Sequence, residues 1–420
     1  MNIKIIPKNL YGNIKAISSK SHVHRLLIAA ALSENPSCII AEKVSDDINA
    51  TVDCLRALGA EIEKSENIFK IYPINKLNKS AFLKCGESGS TLRFMIPLVG
   101  ALGTEAIFER LGRLSQRPLS PLKEELLKKG QILTDAEKGL LKSTGNLCGG
   151  EYFLPGNISS QFITGLLFAL PLCKRDSFIH ITTKIESQGY INLTLDVLKA
   201  FNIEIKNEKD GFFIKGNQRY ISPKINNAQG DWSNSGFWLT AGAFSERGIT
   251  VDGLYLNSLQ GDKEILNILK KFGAQVKESK NSVFVKANKL KATNIEASQI
   301  PDIVPEVALL GALAEGKTVI TGAGRLRIKE CDRLEALEKG LGALGANIKQ
   351  TEDGLVINGV NELKGGKVHS FNDHRIVMIF SVAAIKCKNP VIIENSDAVN
   401  KSYPDFFKDY NMLGGHAEEG

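Results

Sequence analysis

The sequence has no paired-cysteine motif, which limits the kinds of site that it can form. Its seven cysteines are an odd number, lie far apart and include no Cys-x-x-Cys pair. Disulfide frameworks and cysteine-based zinc sites both depend on such pairing. We therefore expect neither a disulfide framework nor a metal site, and we expect a reducing compartment.

Long apolar runs are also scarce. The longest uncharged stretch, residues 152–173, is interrupted by Pro155, Gly156 and Pro171, so it is too polar and broken to cross a bilayer. The first ten residues, MNIKIIPKNL, do not have the basic-then-apolar layout of a secretory signal. These features predict a soluble, cytoplasmic protein without a membrane partner.

Concentrated positive charge is missing as well. The formal net charge is +7 over 420 residues, and the Lys and Arg residues are scattered, whereas nucleic-acid-binding domains usually carry basic blocks. We therefore expect no nucleic-acid partner, and a site for small anionic ligands explains the surplus charge equally well. A composition of 43% hydrophobic and 24% charged residues is typical of a globular protein. The length predicts two domains or one long repeat array.

The sequence does contain a six-fold internal repeat. A helical Leu-x-x-apolar segment ends at Gly or Asn and passes into alternating residues, most clearly in LRALGAEI from Leu55 and LGALGANI from Leu341. Gly or Asn at such a position adopts the left-handed conformation that stops a helix. Six α/β units of about 70 residues, each too small to bury a core alone, must pack together. The helix-ending positions are Gly59, Gly130, Asn202, Gly273, Gly345 and Gly414.

Polar clusters precede the apolar helices of these units. The stretch from Ser18 to Arg25 places hydroxyl groups, Lys20 and Arg25 at the start of LLIAAAL. Backbone N–H groups in the first turn of a helix favour an anion, and a phosphate is the natural guest. No Gly-x-x-x-x-Gly precedes this stretch, so it is not a Walker loop. His22 and His24 are two residues apart and point to different helix faces, so we do not expect them to form a metal pair.

Similar clusters recur along the chain. The glycine-rich turn from Cys85 to Arg93 lets backbone N–H groups approach an anion closely, and Arg110, Arg113 and Arg117 crowd one loop. Each cluster alone is typical of a solvated surface, but their recurrence in several repeats predicts one shared anion site. The other clusters are Ser159–Gln161, Lys329–Arg333, Asn372–Arg375 and Lys401–Pro404.

These motifs, in this order over the whole chain, resemble the 5-enolpyruvylshikimate-3-phosphate (EPSP) synthase family of enolpyruvyltransferases. The resemblance implies an inside-out α/β barrel of two domains, each made of three βαβαββ repeats. It places one domain at residues 15–230, the other at residues 1–14 with 231–420, and the active site in the cleft between them. The matching motifs are KS-x-x-x-R from Lys20, G-x-SGST-x-R from Gly86, RP at Arg117, SSQ at Ser159, RIKECDRL, NDHR and KSYPDFF.

The resemblance also implies an activity. The family transfers the enolpyruvyl group of phosphoenolpyruvate to the 5-hydroxyl of shikimate 3-phosphate and releases phosphate through a tetrahedral intermediate. This step of the shikimate pathway leads to chorismate and the aromatic amino acids. We accordingly expect a monomeric transferase that needs neither a metal nor an organic cofactor.

Residue roles follow from the resemblance at the matching positions. It implies that Asp302 is the general base toward the hydroxyl, that Glu330 gives a proton to the methylene carbon, and that Lys20 is a second proton-transfer candidate. The implied contacts of shikimate 3-phosphate are Lys20, Ser21, Arg25, Ser159, Ser160, Gln161, Ser187, Asp302 and Lys329. The implied contacts of phosphoenolpyruvate are Lys20, Gly89, Arg117, Gln161, Arg333, Arg375 and Lys401.

Two positions depart from the family pattern. Glu87 stands where many members have Asn, and a carboxylate beside a phosphate repels it unless the carboxylate points away or is paired. Arg325 also replaces an Asn, near the implied shikimate phosphate, and would substitute a charged contact for an amide contact. Gly89 is retained, and in the family a glycine there leaves room for the inhibitor glyphosate, so we expect a glyphosate-sensitive enzyme.

Two alternatives stay open. The sister enolpyruvyltransferase that acts on UDP-N-acetylglucosamine has the same fold, but it typically carries a reactive Cys shortly before its Arg-Pro pair, and residues 111–116 contain no Cys. A non-catalytic phosphate- or RNA-binding repeat protein would explain the bases and the repeat. It gives no reason for Asp302 and Glu330 among those bases.

Overall fold

Twelve α-helices and 24 strands alternate along the chain in the computed structural model, which describes all 420 residues. The helices are α1 Lys20–Ala31, α2 Asp46–Leu58, α3 Gly89–Leu102, α4 Leu122–Lys128, α5 Ser160–Ala169, α6 Gln188–Ala200, α7 Trp232–Ala243, α8 Ile265–Phe272, α9 Val304–Ala312, α10 Arg333–Ala343, α11 His374–Ala383 and α12 Phe406–Met412. None of these helices is long and apolar enough to span a membrane.

The strands are short, with two to five residues each. They are β1 Ile3–Ile5, β2 Gly12–Lys15, β3 Ser37–Ile40, β4 Glu61–Ser65, β5 Ile68–Tyr72, β6 Ser80–Lys84, β7 Glu105–Glu109, β8 Gln131–Asp135, β9 Leu141–Gly145, β10 Glu151–Leu154, β11 Ser177–Ile181, β12 Ile205–Glu208, β13 Gly211–Ile214, β14 Ile225–Asn227, β15 Ile249–Asp252, β16 Gln275–Glu278, β17 Ser282–Lys286, β18 Ile295–Glu296, β19 Lys317–Thr321, β20 Asn347–Gln350, β21 Leu355–Asn358, β22 Gly366–His369, β23 Val391–Glu394 and β24 Ala417–Glu419.

The chain divides into two units. One consists of Met1–Ser19 together with Gln229–Gly420, and the other is the continuous segment Lys20–Ala228. The family resemblance implies crossovers near residue 14 and near Asp231, a few residues away from these points.

Six four-stranded sheets carry the strands, three in each unit. In every sheet one parallel pair is extended by two antiparallel pairings, as in β6–β7–β9–β8, where only β6 and β7 are parallel. A parallel pair needs a crossover, which a helix provides, and an antiparallel pair needs only a hairpin. The six sheets with two helices each confirm the predicted α/β class and the six-fold repeat.

Three of the six sheets contain strands from distant parts of the chain. Strand β2 precedes α1 in sequence but pairs with β15, with Ile14 opposite Val251. Strand β14, which precedes α7, pairs with β3 instead. The first strand, β1, lies between β23 and β24, so the last sheet contains residues from both ends of the chain.

The helix-ending positions predicted from the repeat adopt positive φ angles in all six units. A positive φ suits Gly because it has no Cβ, and Asn tolerates it better than most residues. The second helix of each repeat therefore ends where the sequence indicated. The φ angles are 112° at Gly59, 93° at Gly130, 62° at Asn202, 94° at Gly273, 105° at Gly345 and 91° at Gly414.

Each unit has its own hydrophobic core. The first helix of each repeat contributes most to it, and in α11 every residue is buried. The apolar helices predicted as core packing are therefore core helices, and only their polar first turns remain for other roles.

Candidate active site

The first helices of the repeats begin at the polar clusters that the sequence singled out. Helix α1 begins at Lys20, α3 at Gly89 and α5 at Ser160. Ser88 caps α3 by accepting a hydrogen bond from a backbone N–H, and Ser159 does the same for α5. Short polar side chains at these positions satisfy otherwise unpaired helix N–H groups.

In the unit Lys20–Ala228, Lys20 is held by an acid that sequence analysis did not single out. Its Nζ lies 2.6 Å from Oδ2 of Asp47, a buried residue in the first turn of α2. The two residues are 27 positions apart, and no spacing rule relates them. The pair fixes the ammonium group at the start of α1.

Arg25 is buried and tied to α6. Its guanidinium donates to Oγ1 of Thr194 at 2.8 Å, to the backbone oxygen of Tyr190 at 3.0 Å and to that of Ser21 at 2.7 Å. It also lies 5.2 Å from the centre of the Phe94 ring. Burial lowers the pKa of Arg25 to about 10, so the group still carries its charge at neutral pH.

The two histidines of this helix are buried and neutral. Burial lowers the pKa of His22 to about 4 and that of His24 to about 3. Nδ1 of His24 lies 2.7 Å from Oγ1 of Thr51. His24 thus belongs to the core.

Gly89, Arg117 and Gln161 come together, with Arg93 between them. A Cβ at Gly89 would lie 2.7 Å from Nη1 of Arg117 and 2.8 Å from Nη1 of Arg93. Arg93 donates to Oε1 of Gln161 at 2.9 Å, and Nε2 of Gln161 donates to Oγ of Ser90 at 2.9 Å. The structure therefore brings three of the implied contacts of phosphoenolpyruvate together, namely Gly89, Arg117 and Gln161.

Two charged residues at the loop before Arg117, Arg110 and Glu87, make different contacts. Arg110 is buried and donates to Oδ1 of Asp135 at 2.8 Å and to the backbone oxygen of Gly139 at 2.8 Å, so it stabilises the loop and is not part of an anion fork. The Glu87 carboxyl lies against Gly112, where an added Cβ would collide with it. Glu87 therefore points toward this loop.

Ser187 has an unusual backbone. It stands immediately before α6 with φ 56° and ψ 43°, in the left-handed region, and its side chain is buried. Such a conformation costs a non-glycine residue about 1–2 kcal/mol. Strained residues of this kind cluster at functional sites, which agrees with the binding role implied for Ser187.

In the other unit, Arg333 is the centre of a network of acids. Its guanidinium donates to Oδ1 of Asp302 at 3.0 Å, to Oε2 of Glu330 at 2.9 Å and to Oδ2 of Asp373 at 2.7 Å. The side chain is only 1% exposed. Burial would lower the pKa of Arg333, but Asp373, Glu330 and Asp302 raise it well above its usual range. Arg333 therefore holds both proposed proton-transfer carboxylates in place.

Asp302 is surrounded by cations. Lys329 Nζ lies 3.6 Å from its Oδ1 and Arg375 Nη2 lies 3.7 Å from its Oδ2. Burial alone would raise the pKa of Asp302, but Lys329, Arg375 and Arg333 outweigh it and hold the pKa well below its usual range. The carboxylate is ionised at neutral pH and able to accept a proton.

Lys329 has a weakened hold on its own proton. Burial lowers its pKa to about 8, although Asp302 acts in the opposite direction. Arg325 adds to the lowering and donates to the backbone oxygen of Ser298 at 2.9 Å. The Arg325 charge therefore acts on the same part of the site as Lys329.

Arg375 and Lys401 complete this cluster. Arg375 donates to the backbone oxygen of Asp302 at 2.8 Å and to Oγ of Ser233 at 2.6 Å. Lys401 Nζ lies 3.8 Å from Oε1 of Glu330. Two more of the implied phosphoenolpyruvate contacts thus stand beside the two implied catalytic carboxylates. No group of three or more His, Cys, Asp or Glu side chains is arranged to hold a metal ion.

Comparison with known proteins gives one family. Residues 5–410 match the family described as EPSP synthase (3-phosphoshikimate 1-carboxyvinyltransferase). The chain belongs to the EPSP synthase family. A 3-phosphoshikimate 1-carboxyvinyltransferase of Clostridium novyi is 45% identical over 430 residues, covering 100% of this chain and 98% of the relative. One from Clostridium perfringens is 45% identical over 420 residues, with 99% of each chain covered.

Solved structures agree with the EPSP synthase assignment. The EPSP synthase of Acinetobacter baumannii superimposes with a TM-score of 0.82 at 25% identity, and the match covers 100% of both chains. Family membership confirms the predicted resemblance, fold and enzyme class. It also favours that prediction over the UDP-N-acetylglucosamine enzyme and over a non-catalytic repeat protein.

Three residues of this EPSP synthase site escaped the sequence analysis. Asp373 and Arg93 both lie in motifs that carried the resemblance, NDHR and G-x-SGST-x-R, and their presence there was the available signal. Asp47 had no such signal, since it lies outside every motif. All three hold another polar side chain of the site in place.

Proposed function

We propose that the chain transfers the enolpyruvyl group of phosphoenolpyruvate to the 5-hydroxyl of shikimate 3-phosphate. The observation that carries this proposal is the Arg333 network, which keeps an ionised Asp302 beside Glu330 and Lys329. A phosphate-binding protein without catalysis has no use for two carboxylates held among its cations.

Asp302 accepts the proton of the 5-hydroxyl as the oxygen attacks the substituted enol carbon. A carboxylate with a strongly lowered pKa is a weak base, because its cations stabilise the ionised form. Anionic substrates bound at Lys329 and Arg375 offset those cations. Substrate binding therefore raises the basicity of Asp302 at the moment when it is needed.

Glu330, in its protonated form, gives a proton to the methylene carbon in the addition step. The product of that step is a tetrahedral intermediate that still carries the phosphate. In the elimination step the phosphate leaves with its bonding electrons and takes up the proton that Asp302 accepted from the hydroxyl, and Glu330 takes a proton back from the new methyl group, which restores the vinyl double bond. Lys20, Arg333, Arg375 and Lys401 balance the negative charge of the reacting groups.

The proposed binding residues form two overlapping groups, one for each substrate. Lys20, Ser21, Arg25, Ser159, Ser160, Gln161, Ser187, Asp302 and Lys329 bind shikimate 3-phosphate in this proposal. Lys20, Gly89, Arg117, Gln161, Arg333, Arg375 and Lys401 bind phosphoenolpyruvate. Fixed guanidinium groups suit phosphates and carboxylates because their N–H donors match the spacing of the oxygens.

The proposal extends to inhibition by glyphosate, to the location in the cell and to the oligomeric state. Because Gly89 has no Cβ, the guanidinium ends of Arg117 and Arg93 lie where a methyl group would collide with them; this close approach to the cations supports glyphosate as a competitor of phosphoenolpyruvate. We also propose that the protein is cytoplasmic and acts as a monomer.

Phosphate release tests the proposal directly. The purified protein should release phosphate only when both shikimate 3-phosphate and phosphoenolpyruvate are present, and Asp302→Ala should abolish the release. Release with UDP-N-acetylglucosamine in place of shikimate 3-phosphate would overturn the choice of acceptor.

A further inference from the structure

Glu306 is a buried acid to which the proposed mechanism gives no role. It lies in the first turn of α9, and its exposed fraction is 0%. Neither carboxyl oxygen has a hydrogen-bond partner on another residue, and its own backbone N–H favours the ionised form less than Arg375 does. An ionised carboxylate buried in this way is costly unless it is paired, so such groups tend to stay protonated.

Glu306 and Arg375 lie on different helices, and both contact helix α7. Ser233 of α7 accepts a hydrogen bond from Arg375 Nη2 at 2.6 Å. One turn further along α7, a Cβ at Gly236 would lie 2.9 Å from Oε1 of Glu306. The acid and the guanidinium therefore contact α7 one turn apart, close enough for their charges to interact, and Arg375 Nη2 also lies 3.7 Å from Oδ2 of Asp302.

The charged neighbours of Glu306 come from three segments. Arg375 on α11 favours its ionisation, whereas Asp302 and Asp262, from two short turns, oppose it. Helix α7 contains no titratable residue, and Arg333 on α10 is occupied by Asp302, Glu330 and Asp373. Burial is the largest effect and raises the pKa of Glu306 to about 8.

We infer that Glu306 is a positioning residue for Arg375: as an uncharged acid it leaves the guanidinium charge to an anionic ligand, and on ionisation it withdraws that charge. Arg375 already faces the Asp302 carboxylate, and an ionised Glu306 gives it a second one. The inference rests on the proposed role of Arg375 in binding phosphoenolpyruvate. By linkage, bound phosphoenolpyruvate also shifts the ionisation of Glu306 to higher pH.

The test is the KM for phosphoenolpyruvate between pH 7 and pH 9.5, at saturating shikimate 3-phosphate, in the wild type and in Glu306→Gln. A buried charge close to the guanidinium changes affinity on the order of tenfold, so the wild-type KM should rise by about that factor. The Gln variant should hold the rise to about twofold or less. Glu315→Gln, which removes an exposed acid paired with Lys289, should keep the wild-type rise.

Two results would overturn the inference. One is a wild-type rise that persists in Glu306→Gln. The other comes from infrared spectra of the wild-type protein. These spectra should contain a band from an un-ionised carboxyl at pH 6.5 that disappears by pH 9.5. The absence of this band at pH 6.5 would contradict a protonated Glu306. The proposed function is tested separately by Arg375→Gln at pH 6.5, where a KM for phosphoenolpyruvate equal to that of the wild type removes Arg375 from the site.

Discussion

Arg333 and Asp373 form a buried ion pair, with Nε 2.7 Å from Oδ2 and exposed fractions of 1% and 0% for the two side chains. Removing one partner of such a pair strands the other charge away from water, which is more costly than losing the attraction itself. The pair therefore has a structural role in addition to the proposed contact of Arg333 with phosphoenolpyruvate.

We expect Arg333→Met to lower the free energy of unfolding by about 3–5 kcal/mol. Urea denaturation followed by circular dichroism measures the change. Lys339→Met is the matched control, because Lys339 is 61% exposed and paired with Glu335, and it should leave the free energy of unfolding nearly unchanged. Equal losses in the two variants would show that Asp373 does not depend on Arg333.

Asp302→Asn removes the proposed base and keeps the size of the side chain. Because general bases contribute roughly 10²- to 10⁴-fold, kcat for phosphate release should fall by about that factor. The exposed Asp196→Asn serves as the control and should retain wild-type kcat. A kcat within about threefold of the wild type for Asp302→Asn would contradict the proposed base.

Lys329 should impose an upper pH limit on the binding of shikimate 3-phosphate. Its pKa is lowered to about 8 by burial, so the ammonium charge that attracts an anion is present below this pH and is lost as the pH rises through it. We expect the KM for shikimate 3-phosphate to increase on the order of tenfold between pH 7 and pH 9.5. Lys329→Arg should flatten this profile, since guanidinium keeps its proton at these values, and a profile that stays steep assigns the effect to another group.

Gly89→Ala should reduce inhibition by glyphosate. The new methyl group displaces the guanidinium ends of Arg117 and Arg93, which lie 2.7 and 2.8 Å from the Cβ position, so the KM for phosphoenolpyruvate should also rise several-fold. Inhibition constants measured at fixed shikimate 3-phosphate give the result. Gly342→Ala, where no atom lies within 4 Å of the added Cβ, should leave both constants unchanged.

Ser187→Gly should separate stability from binding. Glycine accepts the left-handed backbone at φ 56° and should stabilise the protein by about 1 kcal/mol, whereas the lost hydroxyl raises the KM for shikimate 3-phosphate. Ser187→Ala loses the same hydroxyl but keeps the strain. Thermal denaturation should therefore distinguish the two variants while their KM values agree, and equal melting temperatures would argue against strain at this residue.

The repeat made the fold predictable from the sequence. Positions such as Gly59 and Gly345 require a left-handed backbone, a local property that one sequence reveals. The pairing of β1 with both β23 and β24 is different, because it joins residues from opposite ends of the chain. No local pattern shows such a pairing, and the resemblance to a family implied only that residues 1–14 belong with residues 231–420.

The residues of the candidate site could be predicted from the sequence where they lie in short motifs. Lys329, Glu330 and Arg333 share one motif, and the structure joins them to Asp302. Glu306 was hidden inside an apolar helix that reads as core. Glu306 is significant because its carboxyl group is buried without a hydrogen-bond partner. This burial depends on the packing of several helices, so the spacing of residues along the sequence does not reveal it.

The shared last sheet has a consequence for synthesis on the ribosome. Ile3 leaves the exit tunnel long before its partners on either side, Ile393 and Glu419. The continuous unit Lys20–Ala228 has all its strands as soon as it has emerged. Strand β1 instead stays unpaired until β23 and β24 have emerged, with its backbone donors and acceptors open to water or to a chaperone throughout that interval.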